Sequence, residues 1–263
     1  MTAQNMNAQN TKANDLVFAA LGGLGEIGMN MALYGVMAGK KRQWLMIDCG
    51  VAFAGEDLPG VDLIFPDPAF IEAEKKNLLG LIITHAHEDH FGALADLWPR
   101  LGCPVYMTPF AAHLLEARRL SEPGAPKIAV RAITQATRFT LGPFDIETIP
   151  VAHSIPESMA VVLRTELGTI VHTGDWKIDP TPQVGLPTDE KRLRELGEEG
   201  VLALVCDSTN VMRDGISPSE ADVAAKLKEL VHSAPGRVAV TTFASNVAGS
   251  ICARSCPFFT GEL

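Results

Sequence analysis

Apolar residues in this chain fall in short runs, each closed by turn residues, and the spacing within each run predicts its element. Leu16–Leu21 is an apolar strand that runs into a glycine-rich turn. Asn30–Val36 and Trp44–Ile47 are the next strands, with Ala38-Gly39-Lys40-Lys41-Arg42 as the turn between them. Leu78–Thr84 is a continuous apolar run, the pattern of a buried strand. The period then changes: Phe91, Leu94, Leu97, Trp98 and Leu101 fall on one helical face, which predicts a helix over Phe91–Leu101. A second helix is predicted over Pro109–Leu120. Phe139–Ala152 alternates like a hairpin turning at Gly142-Pro143, and Met159–Arg164 pairs with Thr169–Thr173 around Leu167-Gly168. Val201–Cys206 reads as another buried strand. Ser217–His232 opens with Ser-Pro-Ser-Glu, a helix start, and carries Ala221, Val223, Ala224, Leu227 and Leu230. Val238–Thr242 is predicted as a last strand. No internal repeat is visible. Strands mixed with helices of these lengths predict an α/β or a layered αββα arrangement.

The bulk properties narrow the class. With 263 residues, 47% hydrophobic and 20% charged, the chain is globular and long enough for one large domain or one domain and part of another. Its longest apolar runs, such as Leu78–Ile83 and Val201–Cys206, are too short to span a bilayer, so no membrane partner is expected. Met1–Asn14 is polar, lacks the apolar segment of a secretory signal, and reads as a disordered tail. The five cysteines have no framework spacing. Cys49, Cys103 and Cys206 read as buried thiols, which fits a reducing cytoplasm. Cys252 and Cys256 form a C-x-x-x-C pair with no second half, and read as ordinary thiols. A net charge of −9 argues against a general nucleic-acid-binding surface, although two divalent cations would make a site locally positive whatever the total.

Candidate chemistry gathers where strands end. Five apolar runs lead to an ionisable residue: Asp48, His85, His153, Asp175 and Asp207. Strands that share a direction bring such ends to one rim, where ligands bind. The sharpest cluster is Thr84-His85-Ala86-His87-Glu88-Asp89-His90, which holds three of the seven histidines. His85 and His87, two apart in an extended segment, point the same way, and Asp89 and His90 turn back at the start of the following helix. Imidazole and carboxylate together suit zinc. The bland reading is a solvated histidine-rich loop, which the strand before and the helix after weigh against. Gly23-x-Gly25-x-x-Gly28 fits a dinucleotide fingerprint, but that motif needs a helix next. Asn30–Gly39, with Gly35, Val36 and Gly39, is a poor helix, so the glycines read as a turn between two strands.

The His-x-His-x-Asp-His string resembles the hallmark of the metallo-β-lactamase superfamily. Val151–Ser158 and His172–Lys177 look like that family's later motifs. The resemblance implies an αββα sandwich around two zinc ions. His85, His87 and His153 would hold the first; Asp89, His90 and a further histidine would hold the second; Asp175 would bridge them. Asp48 matches a carboxylate that stands behind the ligands and orients one of the histidines. Cys206-Asp207-Ser208-Thr209-Asn210 resembles the first motif of the β-CASP nucleases. Leu21–Asn30, Asp57–Asp62 and Thr242–Asn246 look like ribonuclease J, and the likeness runs from about Leu16 to Val247.

That branch implies zinc-dependent hydrolysis of RNA, 5′-to-3′ exonucleolytic with endonucleolytic capacity, in RNA maturation and decay. Asp89, Asp48 and Asp207 are then the candidate catalytic carboxylates, RNA is the partner, and an oligomer is allowed. A small-molecule ester, lactam or thioester hydrolase and a non-catalytic remnant stay open as alternatives. By the same resemblance, residues 15–210 form the metallo-β-lactamase part, 211–247 begin a β-CASP domain, and 248–263 diverge from the family. His232 is the last histidine in the chain, so the family's later histidine motifs have no counterpart in it. A truncated or frame-shifted chain is therefore expected, with an incomplete sandwich, exposed apolar surface and a second zinc held more weakly than the first.

Overall fold

The computed structural model describes residues 15–256. The tail expected over Met1–Asn14, and the last seven residues of the divergent stretch, lie outside the described residues. The elements run β1 Leu16–Gly22, β2 Met31–Ala38, β3 Lys41–Ile47, β4 Ala52–Phe53, β5 Leu63–Ile64, α1 Ala69–Ala73, β6 Leu78–Ile82, α2 Glu88–Phe91, α3 Leu94–Leu101, β7 Val105–Met107 and α4 Pro109–Ser121. They continue as β8 Val130–Ala132, β9 Arg138–Leu141, β10 Phe144–Pro150, β11 Met159–Thr165, β12 Gly168–His172, α5 Glu190–Glu199, β13 Ala203–Val205, α6 Glu220–Ser233 and α7 Val247–Arg254.

Two sheets face each other. One has the order β1-β2-β3-β6-β7-β8, the other β13-β12-β11-β10-β9. Strand alternation explains why two layers form. Along β2, Ala32, Tyr34 and Val36 point between the sheets, while Met31 and Leu33 point outward. Tyr34, Leu45, Ile47 and Ile82 meet Phe144, Ile146, Val161 and Leu163 in the middle core. The outward set packs under α3 and α4 through Leu94, Leu97, Leu101 and Leu115. The second sheet buries Ile149, Val151, Val162 and Val171 against Leu193 and Leu196 of α5. Three cores separate four layers, the expected αββα sandwich.

The topology sets up the rim. β3 and β6 are parallel neighbours. β10 and β12 both run antiparallel to β11, and β13 is parallel to β12. The carboxyl ends of β3 and β6 in one sheet, and of β10, β12 and β13 in the other, deliver Asp48, His85, His153, Asp175 and Asp207. The turn Gly22–Asn30 joins antiparallel β1 and β2, as its glycines predict, with φ of 80°, 74° and 99° at Gly23, Gly25 and Gly28.

Four expectations need correction. The helix predicted over Phe91–Leu101 is broken after Phe91. An unbroken helix would pair the Ala93 amide with the Asp89 carbonyl. Instead Ala93 donates to the Cys49 carbonyl at 3.0 Å, and the Asp89 carbonyl accepts from the Asn30 amide at 2.9 Å. Val201–Cys206 is not a buried strand: β13 is a short strand at the sheet edge, paired only by β12, with Leu204 62% exposed and Leu202 just before it 60% exposed. Cys206 beside it is accordingly exposed. Val238–Thr242 forms no strand, since no neighbouring strand among the described residues offers it a ladder. Residues 248–254 contribute most of α7, which buries Ala248, Cys252 and Ala253.

The rim tolerates little extra volume. A Cβ on Gly50 would stand 1.7 Å from the Asp89 carbonyl oxygen and 2.6 Å from the His90 amide nitrogen. Both obstacles are backbone, so Gly50→Ala should lower stability by at least about 2 kcal/mol. Urea unfolding measures it, and a loss below about 0.5 kcal/mol, the range of an innocuous surface change, would contradict this packing.

Candidate metal centre

His85, His87 and His90 each have one nitrogen fixed by a partner and the other turned into a space shared with His153. β6 is followed by Ile83 and Thr84, and then by His85. Its Nδ1–H donates to the Thr84 hydroxyl at 3.0 Å. That leaves Nε2 facing the His87 Nδ1, 3.2 Å away. His87 is turned the other way: its Nε2–H donates to the Ser245 carbonyl at 3.2 Å. His153, beyond β10, brings its Nε2 to 3.0 Å from the same His87 Nδ1. Asp175, beyond β12, points Oδ1 at His90 Nε2, 3.1 Å away, and Oδ2 at His153 Nε2, 3.6 Å away.

Two donor clusters result. His85, His87, His153 and Asp175 form one, and Asp89, His90 and Asp175 form the other, with the ligand atoms of each lying within 4.8 Å of one another. All six metal ligands expected from the sequence therefore meet at one place, with Asp175 common to both clusters.

The donor chemistry fits a metal. Ligands at roughly 2.0–2.1 Å around a tetrahedral zinc stand about 3.3–3.4 Å apart, and the imidazole separations here are 3.2 and 3.0 Å. With His85 Nδ1–H and His87 Nε2–H engaged elsewhere, the facing His85 Nε2 and His87 Nδ1 both carry lone pairs. Lone pairs at that range repel unless a cation lies between them. Burial also keeps these rings neutral, as ligation requires. It pushes His85 well below the ordinary histidine range, with His90, His153 and His87 adding to the effect. Burial lowers His87 too, against the opposing hydrogen bond to Ser245. His153 falls to about 4, mainly by burial, with Asp175 opposing.

The second cluster is held differently. Burial would lower His90, but Asp48 and Asp175 on either side raise it well above its usual value. Its Nδ1–H donates to Asp48 Oδ2 at 2.7 Å and its Nε2 faces Asp175. Two carboxylates thus draw a positive charge onto this ring, and a metal ion can take the place of the Nε2 proton. Burial raises Asp175, yet His90, His153 and His87 hold it down at about 2. Asp89 is raised, chiefly by burial.

Asp48 lies behind both clusters and outside them. Its carboxylate accepts from the Thr84 amide at 2.8 Å, the Thr84 hydroxyl at 2.9 Å and the His90 ring. Asp207 lines the same 560 Å³ cavity as Asp89, His90, Asp175 and the Gly23–Gly28 turn. Its Oδ1 accepts from the Thr209 amide and hydroxyl, so it caps a local turn and touches no ligand histidine.

Sequence reasoning missed three contributors. Asn30 holds the Asp89 carbonyl with its amide and, at 3.0 Å, with its side chain. Ser245 acts through its main chain, which no residue type advertises. His172 lines the cavity with its Nδ1 2.8 Å from the Tyr34 hydroxyl, and burial lowers it to about 4. The only signal for His172 was a histidine three residues before Asp175.

Comparisons with known proteins agree with this fold. The model of the metallo-beta-lactamase superfamily matches residues 30–231. Ribonuclease J of Sinorhizobium meliloti is 58% identical over 233 residues, which cover 89% of this chain and 41% of that protein. Ribonuclease J of Helicobacter pylori (strain ATCC 700392 / 26695) is 41% identical over 240 residues, covering 90% of this chain and 34% of that protein. The chain thus spans about two fifths or less of the length of these curated relatives. Among solved structures, a protein of unknown function from Enterococcus faecalis V583 superposes with a TM-score of 0.64 at 19% identity, over 93% of this chain and 64% of that one. At that identity the likeness shows the fold alone.

Removing the Asp48 carboxylate should leave His90 and Thr84 without a shared acceptor. Asp48→Ala is expected to weaken zinc binding by roughly 10-fold to 100-fold, read by competition with a chromogenic chelator at neutral pH. Unchanged affinity would reduce Asp48 to a turn residue.

Proposed function

The chain belongs to the metallo-beta-lactamase superfamily, and from that premise we propose that its rim is a dinuclear zinc site for hydrolysis of RNA phosphodiester bonds. By similarity to the ribonuclease J proteins, the reaction is 5′-to-3′ exonucleolytic with endonucleolytic capacity, and it serves RNA maturation and decay. The observation that carries the reading is Asp175, whose two oxygens face the two histidine clusters separately. Support for RNA over a small ester, lactam or thioester comes from Asp207-Ser208-Thr209 and the Gly23–Gly28 turn. Both border the cavity beside Asp89, His90 and Asp175, and both lie in stretches that resemble the ribonucleases.

The chain's residues divide the work. His85, His87 and His153, kept neutral by burial, hold the first metal together with Asp175. Asp89, His90 and Asp175 hold the second. Zinc, when bound, acidifies water toward neutral pH and offsets the negative charge that builds on the phosphoryl oxygens. Asp48 keeps the Nδ1 proton on His90, so that Nε2 stays directed at the metal position. Asp207 shapes the cavity wall through its turn rather than through a ligand. Among the described residues the second cluster has three donors and the first has four, so the second zinc binds more weakly. The free thiols of Cys49, Cys103, Cys206, Cys252 and Cys256 favour the reducing cytoplasm as its compartment.

The purified chain, loaded with zinc, is to be offered 5′-monophosphorylated RNA and, separately, a chromogenic lactam. The reading expects slow RNA shortening that a chelator abolishes, and no lactam turnover. Lactam hydrolysis without RNA cleavage would reverse it.

A further inference from the structure

The hydrogen bond between His87 and Ser245 joins residues 158 apart, and it is one of two fastenings between the metal cluster and the start of α7. His87 donates from Nε2 to the Ser245 carbonyl, which turns its Nδ1 toward His85 and His153. Three residues further along, the Ala248 amide donates to the Ser154 carbonyl at 3.0 Å, beside His153. The two histidine-bearing segments are therefore tied to consecutive points of one short stretch. That stretch is itself braced. The Asn246 amide donates to the Phe243 carbonyl at 2.9 Å, and the Asn246 side chain caps α7 by accepting from the Gly249 amide at 2.7 Å. Val247 packs against the outer core of the first sheet, and Ala248, Cys252 and Ala253 are buried.

Imidazole can present either nitrogen to a metal, and the partner of the other nitrogen decides which. His85 and His90 take that partner from Thr84 and Asp48, within the sandwich. His87 takes it from the far end of the chain. We propose that residues 243–248 are a latch for the first metal position: they set the tautomer and tilt of His87, and metal binding in turn docks α7. This rests on the reading that the first cluster takes a metal. The coupling is reciprocal, since whatever stabilises the docked latch for zinc must be stabilised by zinc to the same degree.

Three measurements on the whole chain test it, with zinc ion as the probe. In the unmutated protein, ¹⁵N resonances of His87 should report Nδ1 on the metal and a slowly exchanging Nε2–H. Hydrogen exchange at the Ala248 amide should slow when zinc is added. Asn246→Ala, which removes the cap, should weaken zinc binding by roughly 10-fold to 100-fold, the usual effect of losing the partner behind a ligand histidine. Asn246→Asp, which keeps a cap oxygen, should restore affinity to near the original. Ala248→Pro gives a second route: proline is tolerated in the first turn of a helix, but it removes the amide that reaches Ser154. If the original chain binds zinc and both Asn246→Ala and Ala248→Pro bind it equally well, the latch is refuted while the metal site stands. A His87 bound through Nε2 would refute it without any mutation. If the original chain binds no zinc, the metal reading fails and the latch falls with it.

Discussion

The carboxylate of Asp48, 1% exposed, accepts hydrogen bonds from the Thr84 amide, the Thr84 hydroxyl and the His90 ring. Thr84 in turn accepts from His85, so a single buried charge organises one histidine of each cluster. Such a charge is costly unless it is fully hydrogen-bonded and balanced by positive charge nearby. The backbone contributes as well: Asp48 has φ of 63°, a left-handed conformation that Asp adopts more readily than most residues. That turn aims the carboxylate back across β6, while its own amide bonds the Ile82 carbonyl at 2.9 Å. His85 and His90 then have no freedom to choose which nitrogen they offer.

The sandwich makes this arrangement rigid. β3 and β6 lie side by side in one sheet, and β10 and β12 flank β11 in the other. The middle core of Tyr34, Ile47, Ile82, Phe144 and Val161 locks the two sheets face to face. The rim is closed by direct main-chain bonds, such as that from the Met159 amide to the Thr84 carbonyl at 3.2 Å. The cluster histidines from both sheets are thus held at separations set by packing. Pre-organisation of this kind gives tight and selective binding, because little conformational freedom remains to be lost.

Much of this was legible in the chain. Apolar runs of strand length, each ending on Asp or His, placed the rim residues, and the His85-x-His87-x-Asp89-His90 spacing named the cluster. What escaped were features that depend on partners distant in sequence. The break between α2 and α3 arises because Asn30 claims the Asp89 carbonyl and Cys49 claims the Ala93 amide, while the local spacing still reads as one helix. Val201–Cys206 is apolar enough for a core strand, yet it lies at a sheet edge, which composition does not reveal. Val238–Thr242 has strand propensity without a neighbouring strand to pair with among the described residues. Asp207, a candidate catalytic carboxylate by resemblance, also accepts from Thr209 in a local turn, a contact the resemblance did not describe. Ser245 contributes a carbonyl, a group that every residue carries.

X-ray absorption at the zinc edge, on the chain loaded with one equivalent of zinc, tests the central claim most directly. The account predicts imidazole scattering from three histidines at roughly 2.0–2.1 Å with carboxylate oxygen completing the shell, and no sulfur. A sulfur shell near 2.3 Å, which would place the zinc on cysteine, or an oxygen-only shell, would contradict it.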